Sequence, residues 1–325
     1  MKLDVREDVF PIAGGFTISR GTRTESRVVT VELERDGVRG WAECYPYARY
    51  NETVESVMAQ IRAMGAALAD GMDRIALQDA MPPGAARNGL DCAFWDFEAK
   101  AAGARVWELA GLSAPEPVIT AYTLSLADPE VMRAKAAENA HRPLLKIKLG
   151  GAGDIERLRA VRDGAPDAKI IVDANEGWDA ETYELIAPVV LELGVAMVEQ
   201  PLPAGDDRAL ADMDRPLPVC ADEACHDRAS LRGIAGKYDM INIKLDKTGG
   251  LTEALALKAE AEARGLQIMV GCMIGSSLGM APGVLVAQGA EVTDLDGPLL
   301  LASDRPHGLT YDAAGVHPPD AELWG

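Results

Sequence analysis

The chain has 325 residues, of which 32 are basic and 51 acidic, for a net charge of −19. With 48% apolar and 26% charged residues it can bury a sizeable core, which excludes a disordered acidic tail. The acidic surplus would repel nucleic-acid phosphates and an anionic membrane surface, so neither is expected as a partner.

The length suits one large α/β barrel with an addition, or two domains. The start, MKLDVREDVFPIAGG, has scattered charges and no apolar run of a secretory signal, and no long apolar stretch follows. A cytoplasmic protein is expected. Five cysteines form no CxxC pair and four histidines form no HExxH motif, so disulfides and histidine-based zinc chemistry are not expected. Val28–Glu34 and Gly40–Glu43 flank Arg35-Asp36-Gly37, a hairpin signal. Thr53–Leu68 and Ala85–Ala102 read as amphipathic helices. Residues 1–113 are therefore expected to form an α+β lobe.

From about residue 117 the chain becomes rhythmic. Apolar runs recur at Val118–Ala121, Leu144–Lys148, Lys169–Asp173, Val195–Glu199, Leu217–Ala221, Met240–Lys244, Gln267–Gly271 and Val292–Leu295, their starts 22 to 27 residues apart. Such a spacing fits one strand, one helix and two loops. Helix-like stretches lie between them at Asp154–Asp163, Ala180–Glu192 and Leu251–Arg264. Eight such units predict a parallel barrel over 114–300 with its site at the C-terminal strand ends. An open doubly wound sheet competes, but no GxGxxG follows a first strand. Residues 301–325, rich in Pro, Gly and Asp, are expected to pack back on the N-terminal lobe.

The chemistry-bearing residues fall at those strand ends. Lys146 and Lys148, in LLKIKLG, are two apart and share a face; repulsion between them should lower at least one pKa. Asp173, Glu199 and Asp222 close the third, fourth and fifth runs. One such carboxylate could cap a helix; three converging at a barrel mouth need a cation. All-oxygen ligands point to Mg²⁺, with Mn²⁺ as the substitute. Lys244 ends the sixth run, opposite the second in an eight-stranded ring, so Lys148 and Lys244 should face each other across the metal. Two bases so placed can remove a proton from one face of a carbon and return it on the other, the cation stabilising the enediolate of a carboxylate substrate. Asp294 and Asp296, in DLDGP, read either as a turn pair or as receptors for a substrate ammonium.

Together these residues resemble the enolase superfamily, in its muconate-lactonizing-enzyme subgroup, and within it the dipeptide epimerases of the L-Ala-D/L-Glu type. The resemblance runs nearly the whole length, through ISRGTRTESRVV, GAARNGLDCAFWDFEAK, KIKLG, VDANEGW, VEQPLPA, ADEACH, NIKLDKTGGLTEALAL and DLDGP. It implies an α+β capping domain over a modified TIM (β/α)7β barrel, and Mg²⁺ held by Asp173, Glu199 and Asp222. It implies Lys148 and Lys244 as acid/base residues, with Lys146 touching the substrate carboxylate and tuning Lys148. Asp294 and Asp296 match an ammonium-binding pair, and Thr123, Cys272 and Met273 match substrate-lining positions. Arg23 matches an arginine that meets a Glu side chain at the second position of the dipeptide, with Arg20 as a competing candidate. The implied reaction is epimerisation of the C-terminal residue, L-Ala-L-Glu to L-Ala-D-Glu, in the recycling of cell-wall peptides; a homo-oligomer is compatible. The run IGSSLGMAPG departs from the more polar family pattern after the seventh strand, which leaves the preferred dipeptide open. The alternatives are a cycloisomerase or o-succinylbenzoate synthase on the same scaffold, a metal-free Schiff-base aldolase using Lys148 or Lys244, and a non-catalytic metal-binding protein.

Overall fold

In the computed structural model, which describes residues 1–325, strands β1 (Lys2–Ile18), β2 (Gly21–Arg35) and β3 (Val38–Cys44) form an antiparallel sheet. The β2–β3 turn has Asp36 at φ 54° and Gly37 at φ 81°, the left-handed pair that a tight hairpin demands. Strand β1 has no counterpart among the strands read from the sequence: it pairs with β2 from Lys2↔Glu34 to Ile18↔Gly21, with an irregularity between Pro11 and Phe16. Its scattered charges belong to an edge strand with only two buried residues, Val5 and Ile12, which hides the apolar signal.

The expected helix Thr53–Leu68 is two helices, Val54–Ala63 and Gly65–Ala69, the first opened by a reciprocal Thr53/Ser56 cap. Helix Ala85–Ala102 is where expected but is not amphipathic. Nearly every residue is buried, including Arg87, Asn88, Asp91 and Asp96. Its polar groups are joints rather than a wet face: Arg87 Nη2 donates to Thr248 O at 2.7 Å, and Asp91 Oδ1 accepts from Thr252 Oγ1 at 2.6 Å.

Eight parallel strands follow: β4 (Tyr122–Leu124), β5 (Leu144–Lys148), β6 (Lys169–Asp173), β7 (Val195–Glu199), β8 (Val219–Ala221), β9 (Met240–Ile243), β10 (Gln267–Gly271) and β11 (Val292–Asp294). They are hydrogen-bonded in sequence order, and Ala121 N–H donates to Thr293 O at 2.8 Å across the seam between first and last. This is the expected modified TIM barrel with an N-terminal sheet as its cap. The first strand begins later than Val118, because Val118 pairs instead with Val316 in the tail. Two crossovers contract to 3-10 turns, Arg208–Ala211 and Arg228–Gly233.

Alternation along the strands sorts the barrel interior into layers. Ala121, Leu144, Ile171, Met197, Cys220, Met240, Met269 and Val292 form one apolar cluster. Two residues further along each strand stand Thr123, Lys146, Asp173, Glu199, Asp222, Asn242, Gly271 and Asp294. An apolar plug thus underlies a polar floor.

Gly40 of β3 lies against helix Ala85–Ala102: a Cβ there would sit 2.3 Å from Phe97 N and 2.5 Å from Ala93 O. Backbone cannot yield as a side chain does, so Gly40→Ala should lower unfolding free energy by at least about 1–3 kcal/mol in chemical denaturation.

Candidate active site

The polar floor opens into a cavity between the barrel mouth and the cap. Thr123, Lys146, Lys148, Asp222, Lys244, Cys272, Met273, Asp294 and Asp296 line it from the barrel, and Arg23 from β2. Asp173 and Glu199 lie just beneath, fully buried behind the lysines. The structure therefore brings together every residue singled out from the sequence.

Oxygen atoms of Asp173, Glu199 and Asp222 lie within 4.8 Å of one another. Lys148 Nζ is 2.5 Å from Asp173 Oδ2 on one side, and Lys244 Nζ is 2.6 Å from Asp222 Oδ2 on the other. Lys146 Nζ touches Glu199 at 2.6 Å, Asp294 at 2.7 Å and Asp173 at 3.2 Å. Three buried carboxylates from successive strands, offering only oxygen, fit a hard divalent cation.

The expected lowering of a lysine pKa by lysine–lysine repulsion is reversed at Lys146. Burial pushes its ammonium down, but Asp294, Glu199 and Asp173 outweigh that and hold it well above the usual lysine value. Lys244 is raised likewise, burial being overcome by Asp222. In return, Lys148 and Lys146 overcome the burial of Asp173, and Lys244 and Lys247 that of Asp222, so both stay below the usual carboxylate range. Glu199 moves up, through burial and the charge of Asp173. Burial and Asp294 push Asp296 up to about 7.

Several residues that the sequence reading passed over complete the arrangement. Asn242 Nδ2 donates to Glu199 Oε1 at 2.7 Å. Gly271 makes room for it, since a Cβ there would meet Asn242 Oδ1 at 2.7 Å. Lys247 Nζ donates to Asp222 Oδ1 at 2.6 Å; the short helix Leu245–Thr248 after Lys244 turns it back toward the barrel. Gln200, held at φ 35°, accepts from the backbone N–H of Asp222 at 2.9 Å and of Ala224 at 3.0 Å. Period-two counting back from Lys244 would have found Asn242; Lys247 and Gln200 sit in turns, where no periodicity applies. Glu223 is buried and pushed up to about 7 by burial and by Asp222, and it accepts from Arg20 Nη2 at 2.8 Å.

Asp296 Oδ2 accepts the Thr123 N–H at 2.6 Å, while the other oxygen of its partner, Asp294 Oδ1, is buried without a hydrogen-bond partner. The cap supplies Phe16, Ile18, Tyr45 and Tyr47 to the cavity wall, and the departing segment after β10 supplies Ile274. That segment is tied to the cap: Ser276 N–H donates to Glu43 Oε1 at 2.8 Å, and Arg305 Nη2 from the tail reaches Glu43 Oε2 at 2.7 Å.

Comparison with known proteins agrees with this geometry. Residues 1–111 match the mandelate racemase / muconate lactonizing enzyme N-terminal domain, and residues 131–318 match the enolase C-terminal domain-like family. The chain is 47% identical to the L-Ala-D/L-Glu epimerase of Escherichia coli, over 96% of this chain and 98% of that one. A crystal structure of an enolase family member from Agrobacterium tumefaciens, with homology to dipeptide epimerases and with bound sodium and L-Ala-L-Glu, is 56% identical. It covers 99% of each chain with a TM-score of 0.98. A dipeptide epimerase from Enterococcus faecalis, complexed with Mg and L-Leu-L-Tyr, is 28% identical, covering 98% of this chain and 97% of that one with a TM-score of 0.89. The chain belongs to the mandelate racemase / muconate lactonizing enzyme family of the enolase superfamily.

Proposed function

We propose that the chain is a dipeptide epimerase, an isomerase that inverts the α-carbon of the C-terminal residue, with L-Ala-L-Glu and L-Ala-D-Glu as its substrate pair. The observation that carries this is the placement of Lys148 and Lys244 on opposite walls of one cavity, each against a carboxylate of the buried triad.

Asp173, Glu199 and Asp222 would hold Mg²⁺, or Mn²⁺ in its place, and the ion would stabilise the charge that develops on the substrate carboxylate as the α-proton leaves. The remaining work falls to the chain's own side chains. One lysine takes the α-proton and the opposite lysine delivers a proton to the other face, so the hydrogen returned is not the one removed. Lys146, between Asp294 and Glu199, presents positive charge to the substrate carboxylate. Asp294 and Asp296 receive the terminal ammonium, which would satisfy the buried Asp294 Oδ1. The same pair disfavours a cycloisomerase or o-succinylbenzoate synthase, whose anionic substrates carry no ammonium. An aldolase is disfavoured because a metal-free reaction leaves the converging carboxylates of Asp173, Glu199 and Asp222 with nothing to hold. On this reading residues 1–113 form the lobe that selects the substrate, 114–300 the barrel that performs the reaction, and 301–325 the tie between them. We also infer a cytoplasmic role in turnover of cell-wall peptides; no helix is long and apolar enough to cross a membrane.

In deuterated buffer, wild-type enzyme should exchange the α-proton of both isomers, followed by proton NMR. Lys148→Met should abolish exchange from one isomer and Lys244→Met from the other, each by roughly 10²–10⁴-fold; equal losses for both isomers in both variants would remove the two-base assignment. Asp296, raised to about 7, is neutral below that pH and ionised above it. The wild-type KM for the dipeptide should therefore rise as pH is lowered from about 8 to about 6, whereas Asp296→Asn should have a high KM with that dependence gone. Because Asn242 orients Glu199, Asn242→Ala should weaken Mg²⁺ binding by about 10–100-fold in titration calorimetry without substrate.

A further inference from the structure

Two arginines from β2 and the turn before it reach the cavity, and the structure treats them oppositely. Arg20 is spoken for: its guanidinium donates to Glu223 Oε1 at 2.8 Å, to Asn175 O at 2.9 Å and to the Tyr47 hydroxyl at 2.8 Å, with Glu176 Oε2 at 3.3 Å. The charge of Arg20 is met by Glu223 and Glu176. Arg23 has no carboxylate within 4.0 Å. Instead its guanidinium carbon lies 5.3 Å from the centre of the Tyr47 ring and 5.6 Å from that of Tyr45. Both rings are buried, Tyr47 at 9% and Tyr45 at 7% exposure.

The rings do not stand alone. Tyr47 meets Tyr50 edge-on at 5.3 Å between centres, and Tyr50 meets His226 at 4.6 Å. His226 lies just beyond Asp222 and bonds Glu223 O at 3.1 Å, so the aromatic row runs from Arg23 on the cap to the end of β8 on the barrel. Tyr47 is the member with two duties: its hydroxyl engages Arg20, whose guanidinium carbon is 5.9 Å from the ring centre, and its ring carries Arg23 more closely. An arginine on an aromatic face keeps its charge while losing conformational freedom, so it can meet an anion without displacing a prior partner.

We propose that Tyr47 is a specificity-determining positioning residue: its ring holds Arg23 as the one uncompensated cation of the cap wall, where it selects a dipeptide with an acidic second side chain. This rests on the dipeptide-epimerase reading above and concerns which dipeptide is taken. Phe16, Ile18 and Ile274 supply the apolar wall beside it, which suits the methylenes of a Glu side chain and offers no competing donor.

The test compares L-Ala-L-Glu with L-Ala-L-Leu in wild type, Tyr47→Leu and Tyr47→Phe, with α-proton exchange as the readout. Wild type should prefer the acidic dipeptide through KM. Tyr47→Leu should raise the KM for L-Ala-L-Glu by about three- to thirtyfold, the size of a partly to fully desolvated cation–π contact, with kcat within about twofold. KM for L-Ala-L-Leu should change little, and Tyr47→Phe, which keeps the ring, should recover most of the acidic-substrate KM. An equal KM increase for both dipeptides, a loss confined to kcat, or a Tyr47→Phe variant as impaired as Tyr47→Leu would each overturn the proposal. If wild type exchanges the α-proton of neither dipeptide, the epimerase reading itself falls, an outcome distinct from those three.

Discussion

Mutual compensation of buried charge is the constraint on which the rest of the molecule depends. Asp173, Glu199, Asp222 and Asp294 share one barrel mouth with Lys146, Lys148, Lys244 and Lys247, almost out of reach of water. An isolated charge there would cost several kcal/mol, so each group is tolerable only beside its partners. The carboxylates hold Lys146 and Lys244 protonated, and the lysines hold Asp173 and Asp222 ionised. The apolar plug below contributes by keeping solvent from the floor.

The cap and barrel are coupled through the segments that carry these residues. Helix Ala85–Ala102 docks on the turn following Lys244: Arg87 grips Thr248 O, and Asn88 Nδ2 donates to Asp246 Oδ1 at 2.7 Å. Asp246 Oδ1 also accepts the Tyr45 N–H at 2.9 Å, which links the strand end that carries Lys244 to the aromatic wall beside Arg23. Glycine completes the fit, since a Cβ on Gly250 would lie 2.4 Å from Asp91 Oδ2. On the opposite side, Arg305 joins the tail to Glu43 and Asp8 of the cap sheet, and Glu43 holds the segment after β10. Cap and barrel thus share fixed joints on both sides of the cavity.

The strand spacing made the barrel legible, and alternation made its floor legible: Lys146 and Lys148, or Asp294 two after Val292, need only a period of two to be placed. What escaped had a common physical character. Strand β1 carries charges because it is an edge, and helix Ala85–Ala102 looks half-polar because its polar residues bond across an interface that sequence does not display. Lys247 and Gln200 act from turns, and Glu223 reads as a neighbour of Asp222 with no visible duty until Arg20 arrives from a segment 203 residues away.

The sequence by itself determined the barrel, the cap, the acidic triad and the opposed lysines, because each follows from periodicity within a short stretch of chain or from contiguous motifs that mark the family. Tertiary structure alone decided the charge state of those groups and which arginine is left without a carboxylate partner. Both depend on distances between residues far apart in the chain: a lysine pKa is set by carboxylates on other strands, and Arg20 and Arg23, three residues apart, differ only in what packs against them. Electrostatic interaction and burial are functions of position in space, and no local pattern encodes them.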